Sequence, residues 1–256
     1  MPQIRYKTQM RPAKVYAHRG GALKAPENTI AAFKAAFSAG AEAIECDIRR
    51  TADGQFIACH DRTVKRIAGH PWPVDGTAWG HLKPLRVFSK EPIAHLDDIL
   101  NLMILRPGRD FYFEMALKKA SYAADLALQI QRAGVQRRAF LLSFSTDLMF
   151  LEAARAAVPD IGTAVMPLFP SDIVKTAEQA GARKVCAGWV DWPLTKQLFS
   201  LGAAAFDFRA QAARAETAGI GVSAGVANHP RDVRWLSSLG VSGIWTDDVP
   251  MAMKYL

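Results

Sequence analysis

Two histidines, an arginine and three carboxylates stand at spacings that could do chemistry on an anionic substrate. His18-Arg19-Gly20 closes a short apolar run, Val15-Tyr16-Ala17, and Pro26-Glu27-Asn28-Thr29 follows five residues later. Glu45 and Asp47 lie two apart in the next apolar run, and residues two apart on a strand point to the same side. A second histidine, His60, arrives with Asp61 at the end of the run Phe56 to Cys59. Glu114 interrupts an otherwise apolar stretch, Phe111 to Ala116, where an acid without a partner is costly. Together Glu45, Asp47 and Glu114 make an all-oxygen donor set, which suits Mg²⁺ or Ca²⁺ rather than Zn²⁺. The competing arrangement is an arginine or lysine paired with these acids inside the fold. His18 and His60 could also be ligands. The chain has neither His-x-His nor His-Glu-x-x-His, so proton transfer is the reading preferred for both.

What positions these residues is a repeat of strand and helix. Apolar strand-like runs fall at Val15–Ala17, Ala43–Ile48, Phe111–Ala116, Ala139–Phe144, Ile161–Met166, Lys184–Val190, Ile220–Val226 and Gly243–Thr246. Helical stretches fall at Thr29–Ala39, Ser121–Ala133, Thr146–Ala157, Ser171–Ala180 and Pro230–Leu239, several of them stopped by a glycine (Gly40, Gly134, Gly181, Gly240). In a chain of 256 residues this alternation predicts a single (β/α)8 TIM barrel, with its chemistry at the carboxyl ends of the strands. Ala203–Arg209 could be a ninth strand or the start of a helix running to Ala218. The helix is preferred, because Phe208, Ala212 and Ala215 fall on one face. The longest irregular piece begins at Arg62 and carries Pro71, Pro73, Gly76, Gly80, Pro84 and Pro92. It reads as a small insertion between the second and third strands, at about 62–98, lying over the mouth with Trp72, Trp79 and Phe88 as its own core. A decorative variable loop is the alternative.

Composition narrows the classes. Half the residues are apolar and the formal net charge is +8, which suits an anionic substrate or membrane surface. The basic residues are scattered, with no stripe interleaved with aromatics, so nucleic acid is not the expected partner. The N-terminal stretch, Met1 to Lys14, is polar and basic with no apolar core of a secretion signal. No apolar run approaches the ~18 residues of a transmembrane segment. Cys46, Cys59 and Cys186 form neither a metal knuckle nor a disulfide framework. Cytoplasm is the default expectation.

The His-Arg-Gly and Pro-Glu-Asn-Thr pair, Glu45-x-Asp47, the His60-Asp61 step and the acid on the third strand resemble the glycerophosphodiester phosphodiesterases. The closing Gly243-Ile244-Trp245-Thr246-Asp247-Asp248-Val249-Pro250 is similar to that family's ending. The resemblance covers nearly the whole chain and implies a TIM barrel with an insertion after the second strand. It also implies hydrolysis of a glycerophosphodiester to glycerol 3-phosphate and an alcohol, within glycerophospholipid metabolism. By the same carry-over Glu45, Asp47 and Glu114 hold the divalent cation, Arg19 grips the phosphate, and His18 and His60 are the catalytic acid–base pair.

The chain departs from the family pattern in places. The family's third-strand motif reads Glu-x-Lys, but here it is Glu114-Met115-Ala116. Lys118 has the parity to replace the lysine in substrate binding, and Lys119 does not. Near the seventh strand the family tends to have a tryptophan where this chain has Gly225, with Trp189, Trp192 or Trp245 as substitutes for the lost aromatic wall. The threonine-rich stretch after His-Asp is replaced by Val64-Lys65-Arg66-Ile67-Ala68. These changes admit a different diester, lysophospholipid or non-glycerol, or a phosphodiester-binding protein with impaired turnover. Gly221-Val222-Ser223-Ala224-Gly225 matches a nucleophile elbow, but the only later histidine is His229, with no acid between. His70, His81 and His95 are expected at the surface, and Asp207 and Arg209 at an exposed helix start.

Overall fold

The alternating runs pair side by side in chain order until the last meets the first. A computed structural model of the protein describes residues 13–189 and 192–256. Its strands are β1 (Lys14–Ala17), β2 (Ala43–Arg50), β3 (Phe56–Ala58), β4 (Asp110–Met115), β5 (Ala139–Phe144), β6 (Gly162–Met166), β7 (Lys184–Gly188), β8 (Gly221–Gly225) and β9 (Gly243–Thr246). All but β3 run parallel, and β1 pairs with both β2 and β9, which closes an eight-stranded TIM barrel. The expected strand end at Val190 and the N-terminal stretch before Ala13 lie outside the described residues.

Period-two alternation divides the barrel interior into two levels. Tyr16, Ala43, Tyr112 and Trp245 point inward with Phe140, Leu142, Ala164 and Cys186 and fill the lower level. Tyr112 stacks on Phe140 at 4.9 Å, and Tyr16 meets Trp245 at the same separation. Two residues further along the same strands come His18, Glu45, Glu114 and Asp247. An aromatic plug thus forms the floor of a polar layer at the carboxyl ends.

The helices cover the outside: α1 (Ile30–Ser38), α2 (Leu96–Leu105), α3 (Ala120–Arg132), α4 (Leu148–Ala157), α5 (Ile173–Ala180), α6 (Thr195–Ala205), α7 (Phe208–Thr217), α8 (Pro230–Ser238) and α9 (Val249–Tyr255). Thr29 caps α1 by accepting from the Ala32 amide at 3.2 Å, and Phe33 and Phe37 face the strands. The ambiguous stretch at 203–209 is helical on both sides of a break. Asp207, at φ 44°, accepts from the Ala210 amide and starts α7, whose Phe208, Ala212 and Ala215 are buried. The helix before it, α6, has no counterpart among the predicted elements.

After β2 the chain folds back as β3, antiparallel to the end of β2, with Ile48 opposite Ala58 and Arg50 opposite Phe56. The segment that follows has a core of its own, but not the expected one. Ile57, Cys59, Val64, Ile67, Val74, Leu82, Val87 and Ile93 form it, with Trp72 and Trp79 at its margin. Phe88 is exposed, because it sits at φ 49° in the turn between two short strands, Arg86–Val87 and Glu91–Pro92. Among the described residues no helix is long and apolar enough to cross a membrane.

Candidate active site

At the end of β1 the chain turns sharply over His18–Gly20, with Arg19 at φ 48° and Gly20 at φ 79°. A side chain at Gly20 would be strained at that φ, and its Cβ would fall 2.6 Å from Phe33 Cδ1. The turn therefore packs directly on α1 and presents His18 and Arg19 to the barrel mouth. His18 Nδ1 bonds Asp247 Oδ1 at 2.8 Å, and its Nε2 lies 4.0 Å from Glu45 Oε2. The Arg19 amide donates to the same Glu45 oxygen at 2.9 Å.

Glu45 and Asp47 share one side of β2, and Asp47 lies beside Glu114 in the β2–β4 register. Ligand oxygens of all three residues lie within 4.8 Å of one another. Glu45 is 3% exposed and Asp47 2%. Burial, then the Asp47 charge and Glu114, push the Glu45 carboxyl up to about 8, against an opposing pull from His18. Burial and then Asp47 push Glu114 up to about 7. For His18, burial opposes the charged form, but the hydrogen bond to Asp247 and the charges of Glu45 and Asp247 outweigh it and raise the imidazole to about 9. The Asn28 amide nitrogen donates to Asp47 Oδ2 at 2.8 Å, whereas Glu45 Oε1 is buried with no hydrogen-bond partner. Three crowded acids, two of them buried and Glu114 half-buried, with an orphaned oxygen fit a hard divalent cation.

Arg19 is also incompletely satisfied. Its Nε sits 3.3 Å from Asp47 Oδ2 and makes no hydrogen bond, and its Nη1 is 3.6 Å from Glu27 Oε1. Glu27 accepts from both terminal nitrogens of Arg66, at 2.9 and 2.7 Å, and Arg66 Nε donates to Asp61 Oδ2 at 2.7 Å. Asp61 in turn bonds His60 Nδ1 at 2.8 Å. One continuous polar chain therefore runs from Arg19 to His60, whose side chain is 43% exposed. Burial works against the Asp61 charge, but Arg66 and His60 hold its carboxyl below the usual range. The main chain ties His60 to the cluster as well, because the Cys59 amide donates to the Asp47 carbonyl at 2.9 Å.

Lys118 does not join this site. Strand β4 ends at Met115, so the parity that would aim Lys118 inward no longer applies. Its ammonium pairs instead with Asp75 of the inserted segment, and the side chain is 62% exposed. The tryptophans also separate. Trp245 is buried in the barrel floor and donates to Ser223 Oγ at 2.9 Å; Trp189 packs on Phe199 and Trp235; Trp192 is exposed. Ser223 is buried in β8, where its hydroxyl also donates to the Val185 carbonyl at 3.2 Å, so the elbow-like motif is structural. His95 is half-buried and caps α2 by accepting from the Asp97 amide at 3.2 Å.

Asp247, Asn228, Asn28, Glu27, Asp61, Arg66 and Arg49 all shape the site without having been assigned a role in it from sequence. Asp247 is fixed by Asn228, whose amide nitrogen donates to Asp247 Oδ2 at 2.6 Å. A signal existed for Asp247, which follows the inward Trp245 by two residues, and for Asn28, which lies in the Pro-Glu-Asn-Thr motif. None marked Arg66.

A sequence profile of the glycerophosphoryl diester phosphodiesterase family matches residues 18–251. A Bacillus altitudinis protein named glycerophosphodiester phosphodiesterase is 27% identical over 257 residues, 94% of this chain and 97% of that one. One of the same name from Caldanaerobacter subterraneus is 54% identical over 111 residues, 41% of this chain and 44% of that one. Among solved structures, an Oleispira antarctica phosphodiesterase in complex with the product sn-glycerol-3-phosphate superposes with a TM-score of 0.76 at 20% identity, covering 95% of this chain and 96% of that one. A Thermotoga maritima glycerophosphodiester phosphodiesterase gives 0.73 at 22% identity, covering 96% and 99%.

Proposed function

The chain belongs to the glycerophosphoryl diester phosphodiesterase family, and on that premise we propose that it hydrolyses glycerophosphodiesters to glycerol 3-phosphate and an alcohol with a divalent cation and two histidines. The observation that carries the reading is the Glu45–Asp47–Glu114 cluster with its orphaned oxygen, faced by His18 and Arg19. These three carboxylates would hold Mg²⁺ or Ca²⁺, which when bound draws charge from the phosphoryl oxygens and eases departure of the alcohol.

Arg19 offers its unsatisfied guanidinium edge to the phosphate. Asp247 fixes His18 through Nδ1, so that Nε2 is the atom left for proton transfer, and Asp61 does the same for His60. In the first step one imidazole takes the proton of the glycerol hydroxyl beside the phosphate. That oxygen bonds to phosphorus, the bond to the alcohol oxygen breaks, and the other imidazole gives the leaving oxygen a proton. Water then opens the cyclic phosphate with the two roles exchanged.

The test is release of glycerol 3-phosphate from a panel of glycerophosphodiesters bearing different alcohols, with and without chelator. Cation-dependent release from at least one supports the reading. No release from any, with hydrolysis of a lysophospholipid or a non-glycerol diester instead, moves the substrate to another class.

A further inference from the structure

On the phosphodiesterase reading the site is short of positive charge. Three carboxylates and a monoanionic diester carry four negative charges, and a divalent ion with Arg19 returns three; His18 as an imidazolium is offset by its hydrogen-bonded partner Asp247. Lys118 cannot make up the difference, because it is committed to Asp75. The other cations nearby are also committed: Arg66 to Glu27 and Asp61, and Arg50 to Asp125.

Arg49 is different. It follows Glu45 and Asp47 at period two on β2 and so lies on their side of the strand. Its neighbour Arg50 points the other way, with its guanidinium 4.1 Å from the Tyr122 ring centroid. Arg49 Nε and Nη2 both donate to the His60 carbonyl, at 3.0 and 2.6 Å. Among the described residues it forms no ion pair, and Nη1 makes no hydrogen bond. The register that sets Asp47 beside Glu114 and Ile48 beside Met115 brings Ala116 next to Arg49. The Ala116 amide donates to the Ile48 carbonyl at 3.1 Å, so the two chains stay together to that point. The Arg49 charge also acts favourably on the Glu114 carboxylate.

We propose that Arg49 is a substrate-binding residue that supplies the missing cation, taking a phosphoryl oxygen with Nη1 while Nε and Nη2 hold the His60 carbonyl. The planar fork fixes the guanidinium in advance, so one group sets the phosphate and the His60 backbone relative to each other. A lysine ammonium, a point charge on a flexible stem without the planar fork, would not hold the two groups at a fixed separation.

This inference rests on the phosphodiesterase reading, and the test separates the two. Binding of glycerol 3-phosphate and of inorganic phosphate is measured by calorimetry in the presence of Mg²⁺, alongside turnover of a glycerophosphodiester. Arg49→Met should weaken binding of both anions at least ~10-fold, the scale of one charge-assisted hydrogen bond. Arg49→Lys should keep most of the affinity but lose the grip on His60, so kcat falls more than KM rises. Ala116→Lys in the Arg49→Met background should regain anion affinity without regaining kcat. Thermal unfolding of each variant shows whether it is folded, and Arg49→Lys carries the test if Arg49→Met is not. Unchanged anion affinity in folded Arg49→Met would overturn the assignment and reduce Arg49 to a prop for the His60 loop. A wild-type protein that binds neither anion overturns it too. If wild type binds glycerol 3-phosphate, Arg49→Met weakens that binding and no diester is hydrolysed, the activity reading fails while the Arg49 assignment stands.

Discussion

Glu45→Gln keeps the side-chain shape and an acceptor for the Arg19 amide while removing one of three crowded charges. In chelated wild-type protein the folded Glu45 carboxyl titrates at about 8 against an ordinary 4.5. Folding therefore takes up a proton in that window. The associated stability is complete below about 4.5 and drains away as pH rises through about 8. By pH 7 the loss is on the order of 3 kcal/mol, which at ~2–4 °C per kcal/mol is ~6–12 °C in Tm. His18, raised from 6.5 to about 9, adds loss in the same direction at the upper end of the window. The assay is thermal unfolding by circular dichroism between pH 5 and 8.5 in chelator. Wild-type Tm should fall steadily with pH, and Glu45→Gln should flatten the slope because it removes one raised acid and one of the charges that raise His18. Adding Mg²⁺ or Ca²⁺ at about 100 times its Kd should return ~2.7 kcal/mol to the wild type and much less to the variant. A metal-free wild type whose Tm is flat from pH 5 to 8, or a variant with the same slope, would refute the crowding argument.

The other expectations concern turnover and the supporting shell. Chelator should abolish diester hydrolysis and Mg²⁺, Mn²⁺ or Ca²⁺ restore it, with Glu114→Gln raising the cation concentration needed at least ~10-fold, read from activity against added metal. His18→Ala and His60→Ala should each lose at least ~10²-fold in kcat; near-normal turnover in either would make that histidine structural. Asp247→Ala should add little to His18→Ala in the double variant, because the two side chains act as one hydrogen-bonded unit. Gly20→Ala should destabilise by about 2 kcal/mol, from positive φ and the Phe33 contact, measured by urea unfolding. Lys118→Met should leave kcat/KM within about twofold, since it breaks only an exposed ion pair.

Much of the architecture was legible because its determinants are local. Apolar runs of three to seven residues with glycine stops place the strands and most helices, and alternation within Ala43–Arg50 and Asp110–Met115 puts Glu45, Asp47 and Glu114 on one side. Helix α6 was not legible. Its sequence, Thr195 to Ala205, carries exposed Leu198 and Leu201 as well as buried Phe199 and Ala203, so no single apolar face marks it.

The sequence by itself determined which residues could meet at a strand end and what donor chemistry they share, since side-chain parity along a strand is a property of neighbouring residues. The tertiary structure alone decided the partners. Asp247 reaches His18 across 229 positions only because the ring closes β9 against β1. Arg66 links Glu27 to Asp61 only because the inserted segment packs beside the mouth. Lys118 and Arg49 show the difference most plainly. Each has the side-chain parity of the site carboxylates on its own strand, but the strand carrying Lys118 ends before it, and Asp75 lies within reach of its ammonium. Arg49 stays within β2, where the strand still fixes its direction. A charged side chain goes to whatever opposite charge or acceptor the folded chain brings near, and that depends on closure of the barrel and placement of the insertion rather than on local spacing.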